Sequence, residues 1–299
     1  MNLQEEYRNG YLVTAQVKKV WNIELQLLSK LLNVCQKHNL RVWADSGTLL
    51  GAVRHQGFIP WDDDIDVAMP REDYEQLKRI APTEFNAPYF FQCAYTDKYV
   101  RGHAQLRYDG TTAILHHEIG VPFHQGIFID IFVLDVLPKD KQEQWNIMRK
   151  TEMLRKLMTW AVIPFDFHHR KRAIAQIFCK AYFLFHSLQK TYAKFERMFY
   201  QYQSLPSQYV GMPMFSVLNI LKYRMKRDWY SETVTLPFED IEVPVPKHYH
   251  EILTEYYGDY MTPQQVPTAH GTTILDADKP YQETLKELRS NSKHEHGQS

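Results

Sequence analysis

The chain has 299 residues, 44% of them hydrophobic and 23% charged, a balance that excludes a disordered or fibrous protein. Its 35 Lys and Arg match its 35 Asp and Glu, so it lacks the basic excess of a general nucleic-acid binder and no nucleic-acid partner is expected. Cys35, Cys93 and Cys179 lie far apart with no metal-ligand spacing, which reads as free thiols in a reducing compartment. Residues 1–10 are polar and charged, unlike a signal peptide, and no apolar run reaches about 18 residues. The expected location is the cytoplasm.

In chain order, Val17, Val20, Trp21, Ile23, Leu27, Leu28, Leu31, Leu32 and Cys35 recur at helical spacing. They predict an amphipathic helix over 17–38, closed by Asn39. A short strand over 41–45 leads into Ser46-Gly47-Thr48, followed by a helical turn or two to 55. Gly57 and Pro60 interrupt the chain, a second strand spans 62–69, and a helix follows Pro70 over 71–81. Further strands are predicted at 89–94, 105–108, 112–116 and 127–134. Residues 139–203 are helical in pattern, rich in Lys, Arg and aromatics, and nearly free of glycine. Residues 236–246 look extended, 247–257 helical up to Gly258, and 290–299 a disordered tail. The expected fold is α/β (α+β), with one unit over 1–138 and a mostly helical region over 139–289.

Residues two apart in a strand share a face. An extended 62–69 therefore puts Asp62, Asp64 and Asp66 on one side, with Ile65, Val67 and Met69 on the other. Three close carboxylates repel unless something neutralises them, and hard oxygen ligands favour Mg²⁺ or Mn²⁺ together with substrate phosphates. Just upstream, Gly47 and Thr48 open a helix where backbone N–H groups and a hydroxyl can approach an anion. Arg54 and His55 add donors for phosphate oxygens. Thr48 also suits a helix N-cap, and the two readings are compatible.

The run from Gly47 to His55, followed by Gly57-Phe58-Ile59-Pro60-Trp61-Asp62-Asp63-Asp64-Ile65-Asp66, closely resembles the signature of the LicD family. These are phosphotransferases of nucleotidyltransferase-like fold related to the fukutin proteins. Gly126 to Asp135 resembles the family's second acidic strand, and Tyr256 to Tyr260 with Pro263 its C-terminal block. The resemblance implies a mixed sheet with flanking helices. It also implies Gly47 and Thr48 as the donor turn, Asp64 and Asp66 as the catalytic metal pair, and Asp130 as the third carboxylate, with Asp135 as its competitor. Asp130 shares a strand face with Phe128 and Phe132, where an unpartnered charge is unfavourable.

The resemblance further implies a CDP-activated donor, CDP-choline in first place and CDP-ribitol in fukutin-type relatives. The acceptor is a hydroxyl of a glycan or lipid-linked oligosaccharide, as in teichoic acid or lipopolysaccharide, and CMP leaves. Arg54 and Arg107 are candidates for phosphate contact, and Asp62 adjoins the donor. Trp61 is the candidate aromatic face for a quaternary ammonium. His103, His116, His117 and His124 match no zinc spacing. The basic stretches 168–172 and 222–227 read as solvated faces or as contacts with an anionic precursor or the inner membrane surface. Residues 177–188 read as a core helix ahead of an interfacial one. Two alternatives stay open: a nucleotidyltransferase acting on a small molecule, and a catalytically silent glycan-binding protein.

Overall fold

The computed structural model describes residues 1–167, 169–212, 224–265 and 273–296. Its N-terminal half contains β1 (Glu6–Arg8), β2 (Tyr11–Val13), α1 (Ala15–Lys37), β3 (Trp43–Ala44), α2 (Ser46–His55), β4 (Asp66–Pro70) and α3 (Arg71–Glu84). Next come β5 (Tyr89–Gln92), α4 (Ala94–Asp97), β6 (Ala104–Tyr108), β7 (Thr112–Leu115) and β8 (Phe128–Leu137). Three helices follow: α5 (Lys141–Val162), α6 (Arg170–Phe185) and α7 (Leu188–Tyr200). The chain then forms β9 (Tyr209–Gly211), β10 (Met225–Lys226), β11 (Thr233–Phe238), β12 (Ile241–Pro246), α8 (Tyr249–Tyr257), β13 (Thr273–Asp276) and α9 (Tyr281–His296). This is the mixed α/β class expected from the sequence.

Strand β8 organises the sheet. Its ten residues are all buried, as a near-continuous apolar run should be when both faces are covered. One edge pairs in parallel with β4, from Asp66 opposite Asp130 to Pro70 opposite Leu134. The other edge takes antiparallel β6 and, further along, antiparallel β9. The strand order is β10-β9-β8-β4-β3, with β5 attached through β6.

Helix α1 lies across β6 and β8. Its N-terminus is capped by Thr14 Oγ1, which accepts from Val17 N, and Asn39 ends it with a left-handed φ of 54°. The β11–β12 hairpin packs on α2 and β3, and α8 packs on α2. Strands β9 and β10 extend the same sheet from beyond residue 138. The region beyond 138 begins with three helices over 141–200, and its strands start only at Tyr209. Helix α9 runs through His296, over most of the segment expected to be a disordered tail. Residues 297–299, like His168, Lys222 and Tyr223 of the basic stretches, lie outside the described residues.

Helix α6 departs from expectation. It buries only Gln176 and Cys179, and Ile177, Phe178, Tyr182, Leu184 and Phe185 are exposed rather than core. No helix among the described residues is long and apolar enough to cross a membrane.

Candidate active site

The site begins where β3 turns into α2. Asp45 N donates to Asp66 O across 3.0 Å, and Asp66 N donates to Thr48 Oγ1 across 2.8 Å. Both backbone groups of Asp66 are thereby tied to the first turn of α2. The Thr48 hydroxyl, expected to face an anion or cap the helix, instead fastens β4 to α2 and is buried. Ser46, at the mouth of the turn, takes a left-handed φ of 47°, an unfavourable conformation for a non-glycine residue. Its Oγ donates to Asp45 Oδ2 across 2.8 Å. A Cβ on Gly47 would lie 2.6 Å from Asp62 Oδ2. Glycine is what lets that carboxylate rest against the positive end of α2.

The aspartates do not alternate along a strand. Strand β4 begins only at Asp66, because two-residue β3 reaches no further than the partners of Ala68 and Val67. Nothing holds 62–65 extended beside β3. The loop instead gathers Asp62, Asp63 and Asp64 so that one oxygen from each lies within 4.8 Å of the others. Among the described residues this is the one group of three acidic or metal-ligating side chains so close. The trio expected from the sequence, Asp64, Asp66 and Asp130, is more widely spread. Asp66 and Asp130 nevertheless stand directly opposite in the parallel pair, and Asp130 N donates to Ile65 O across 2.9 Å.

The electrostatics join these groups into one cluster. Although each keeps some surface open to the cleft, the Asp64 and Asp66 carboxyls are pushed well above the usual range. Desolvation acts first on both, followed for Asp64 by Asp62, Asp63, Asp130 and Glu24, and for Asp66 by Asp64, Asp130, Asp45 and Asp62. Clustered hard oxygens repelling one another fit a divalent cation, which would favour their ionised forms.

Asp130 has its own support. Gln105 Nε2 donates to Asp130 Oδ1 across 2.7 Å, and His103 Nε2 lies 3.0 Å from the same oxygen. Arg107 donates in turn to Gln105 Oε1, to Gln92 Oε1 and to Gly126 O. Arg107 is only 1% exposed and lies outside the cleft lining, which corrects its expected role as a phosphate contact. It orients Gln105. Asp135, the competitor for Asp130, is fully buried and paired with Arg71 at 2.8 and 2.6 Å.

A cleft of about 330 Å³ opens over the carboxylates. Ser46, Gly47, Arg54, Trp61, Asp62, Asp64 and Asp66 line one side, and Tyr257, Asp259, Tyr260, Thr262 and Gln264 the other. Arg54 joins the walls through Nη1, which donates to Tyr260 O across 2.9 Å. His55 stands behind Trp61, edge-on with ring centroids 6.3 Å apart. Burial, then the charges of Arg54 and Arg8, hold His55 down at about 4. It is therefore neutral at pH 7 and not a cationic phosphate ligand. A larger cavity of about 810 Å³ lies at the far end of β4 and β8, around Pro70, Leu134 and Tyr209. It contains none of the clustered aspartates, so the chemistry favours the smaller cleft.

Residues 39–135 match the family model described as LicD/FKTN/FKRP, nucleotidyltransferase domain. Over 242 residues the chain is 29% identical to the lipopolysaccharide cholinephosphotransferase LicD of Haemophilus influenzae, covering 79% of this chain and 88% of that protein. Residues 39–135 are thus a LicD-family nucleotidyltransferase domain. An uncharacterized protein of Rickettsia prowazekii is 40% identical over 108 residues, 34% of this chain and 38% of its own. Human ribitol 5-phosphate transferase FKRP is 37% identical over 51 residues, 17% of this chain and 10% of that protein.

The LicD-family domain contains the carboxylates, but two contributions to the site lie outside it. The wall formed by Tyr257–Gln264 is one. The other is α1, where Trp21 stacks on Phe58 at 4.5 Å and donates Nε1–H to Asp62 O across 3.1 Å. Glu24, one turn on and so on the same helix face, is 2% exposed, and its Oε2 has no hydrogen-bond partner. Burial, then Asp63, Asp62 and Asp66, push its carboxyl well above normal. The sequence reading missed Glu24. Its only signal there is an acid on the buried stripe of an amphipathic helix.

Proposed function

We propose that this chain is a phosphotransferase acting on a cell-surface glycan such as lipopolysaccharide or teichoic acid. It moves phosphocholine, or a related phospho-alcohol, from a CDP-activated donor to a sugar hydroxyl and releases CMP. The observation that carries the reading is the acidic cluster packed against the N-terminus of α2, in a chain related along 79% of its length to a lipopolysaccharide cholinephosphotransferase.

In this reading Asp62, Asp63, Asp64 and Asp66 would hold one or two Mg²⁺ or Mn²⁺ ions. When bound, a divalent ion neutralises the donor's pyrophosphate and the charge on departing CMP. The backbone of Ser46 and Gly47 and the Arg54 guanidinium meet the phosphate oxygens. The acceptor oxygen attacks the phosphorus that bears the alcohol, forming a new P–O bond as the bond to CMP breaks. CMP takes that electron pair, and Asp130 accepts the hydroxyl proton, its carboxylate held in place by Gln105 and His103. Trp61 and Tyr257 offer ring faces to a choline headgroup.

The test supplies CDP-choline, CDP-ribitol or CTP with a glycan acceptor and identifies the products. CMP together with phosphocholine on the glycan is the expected result. CMP from CDP-ribitol alone changes the alcohol and keeps the chemistry. Pyrophosphate from CTP makes the chain a nucleotidyltransferase, and glycan binding without turnover makes it a silent binder.

A further inference from the structure

Helix α6 turns much of its apolar surface outward. Its inward face buries Cys179 and rests Phe183 on the core, and its inward polar groups are occupied. Gln176 donates to Pro164 O and accepts from Asp166 N, while Lys180 Nζ donates to Ala161 O and Ile163 O at the C-terminal end of α5. Its outward positions are apolar. Ile174, Ile177, Phe178, Tyr182 and Phe185 recur three or four residues apart, forming one stripe down the helix, and all are exposed. Phe178 is 72% exposed, Leu184 79% and Phe185 86%, with Phe167 at 80% just before the helix. A contiguous apolar face of this kind marks an interaction surface rather than scattered exposure.

The surrounding charge identifies the occupant. From Arg170 to Lys194 the sequence contains six basic residues and no acidic one; Lys180 points inward, and Asp166 just upstream pairs with Arg172 across 3.2 Å. Arg170, Lys171 and Arg172 cluster at the end of α6 nearest Phe165 and Phe167, all exposed. Apolar and aromatic groups bordered by Arg and Lys complement an anionic lipid surface. The stripe offers little directional hydrogen bonding beyond the Tyr182 hydroxyl, and a fluid bilayer demands none. At 16 residues α6 is about 24 Å long, shorter than the roughly 30 Å bilayer core. It suits the plane of the interface.

We propose that the outward face of α6, with Phe165, Phe167 and the Arg170–Arg172 cluster, docks this protein on anionic membranes. The face binds lipid whatever group the cleft transfers.

The test is co-sedimentation of the full chain with phosphatidylcholine vesicles, with and without phosphatidylglycerol, over a salt series. Wild type is expected to sediment with the anionic vesicles and to be released by salt. The double variant Phe178→Asp/Phe185→Asp should lose binding by on the order of tenfold or more while keeping its melting temperature and circular dichroism. Arg170→Glu/Lys171→Glu, a milder change, should weaken binding and flatten its salt dependence. No wild-type binding to anionic vesicles would overturn the proposal, as would binding indifferent to both double variants. So would a wild-type dimer that the phenylalanine variant splits into monomers without any vesicle binding, since the face would then join two copies of the chain.

Discussion

Trp21 on α1 donates its indole N–H to the backbone oxygen of Asp62 across 3.1 Å, so a helix outside the family domain sets the position of the acidic loop. Trp21→Phe keeps an aromatic ring on Phe58 and removes the donor. Losing one such bond should lower stability by about 1 kcal/mol. Because outer partners orient ligands, it should also weaken Mg²⁺ by about 10-fold or more. Calorimetric Mg²⁺ titration beside denaturant unfolding separates the two effects.

Glu24→Gln removes the ionisable group and keeps its shape. Without metal the variant should melt higher than wild type at neutral pH, because folding no longer has to protonate, or bury as an ion, a carboxyl that is ionised in the unfolded chain. The rise in melting temperature on adding Mg²⁺ should shrink. Thermal unfolding in EDTA and in Mg²⁺ reads both, and an unchanged pair of values would remove Glu24 from the site.

Arg107→Lys strips the fixed donor fork from Gln92, Gln105 and Gly126. Stability should fall by about 3 kcal/mol for breaking a buried charged network. Turnover should fall through misplacement of Asp130, with little change in donor KM. A raised KM at unchanged stability would restore the phosphate-contact role.

The metal-free protein should be less stable at neutral than at mildly acidic pH. Burial raises the Asp45 carboxyl from 3.8 to about 6, and Glu24, Asp64 and Asp66 are raised in the same direction. Between the unfolded and folded values the native state binds more protons than the unfolded state, so stability falls as pH rises through that window. For Asp45 the loss runs from about pH 4 to about pH 6, and the other three extend it upward. Mg²⁺, which binds the ionised carboxylates, should reverse the slope. Melting temperatures from pH 4 to 8, in EDTA and in Mg²⁺, check both signs.

Much of this arrangement was legible in the residues. Gly47 through Asp66 pointed to a turn, a helix and an acidic strand start, and Asp130 stands opposite Asp66 as a neighbouring-strand carboxylate should. The alternation assigned to 62–66 failed because β3 is too short to hold it, and strand length depends on partners distant in sequence. Arg107 looked like any strand arginine until Gln92 and Gln105 surrounded it. Periodicity found the apolar stripe of α6 but says nothing of what covers it, so a surface was read as core. Tyr257 and Tyr260 share a cleft with Trp61 and Arg54 through the packing of α8 on α2.

The most direct measurement is CMP release from CDP-choline with a glycan acceptor, in Mg²⁺ and in EDTA, for wild type and Asp64→Asn. The expected result is turnover that EDTA abolishes, added Mg²⁺ restores, and the substitution lowers by on the order of a hundredfold or more. Turnover that survives both EDTA and Asp64→Asn would contradict the assignment of the acidic cluster as the catalytic centre.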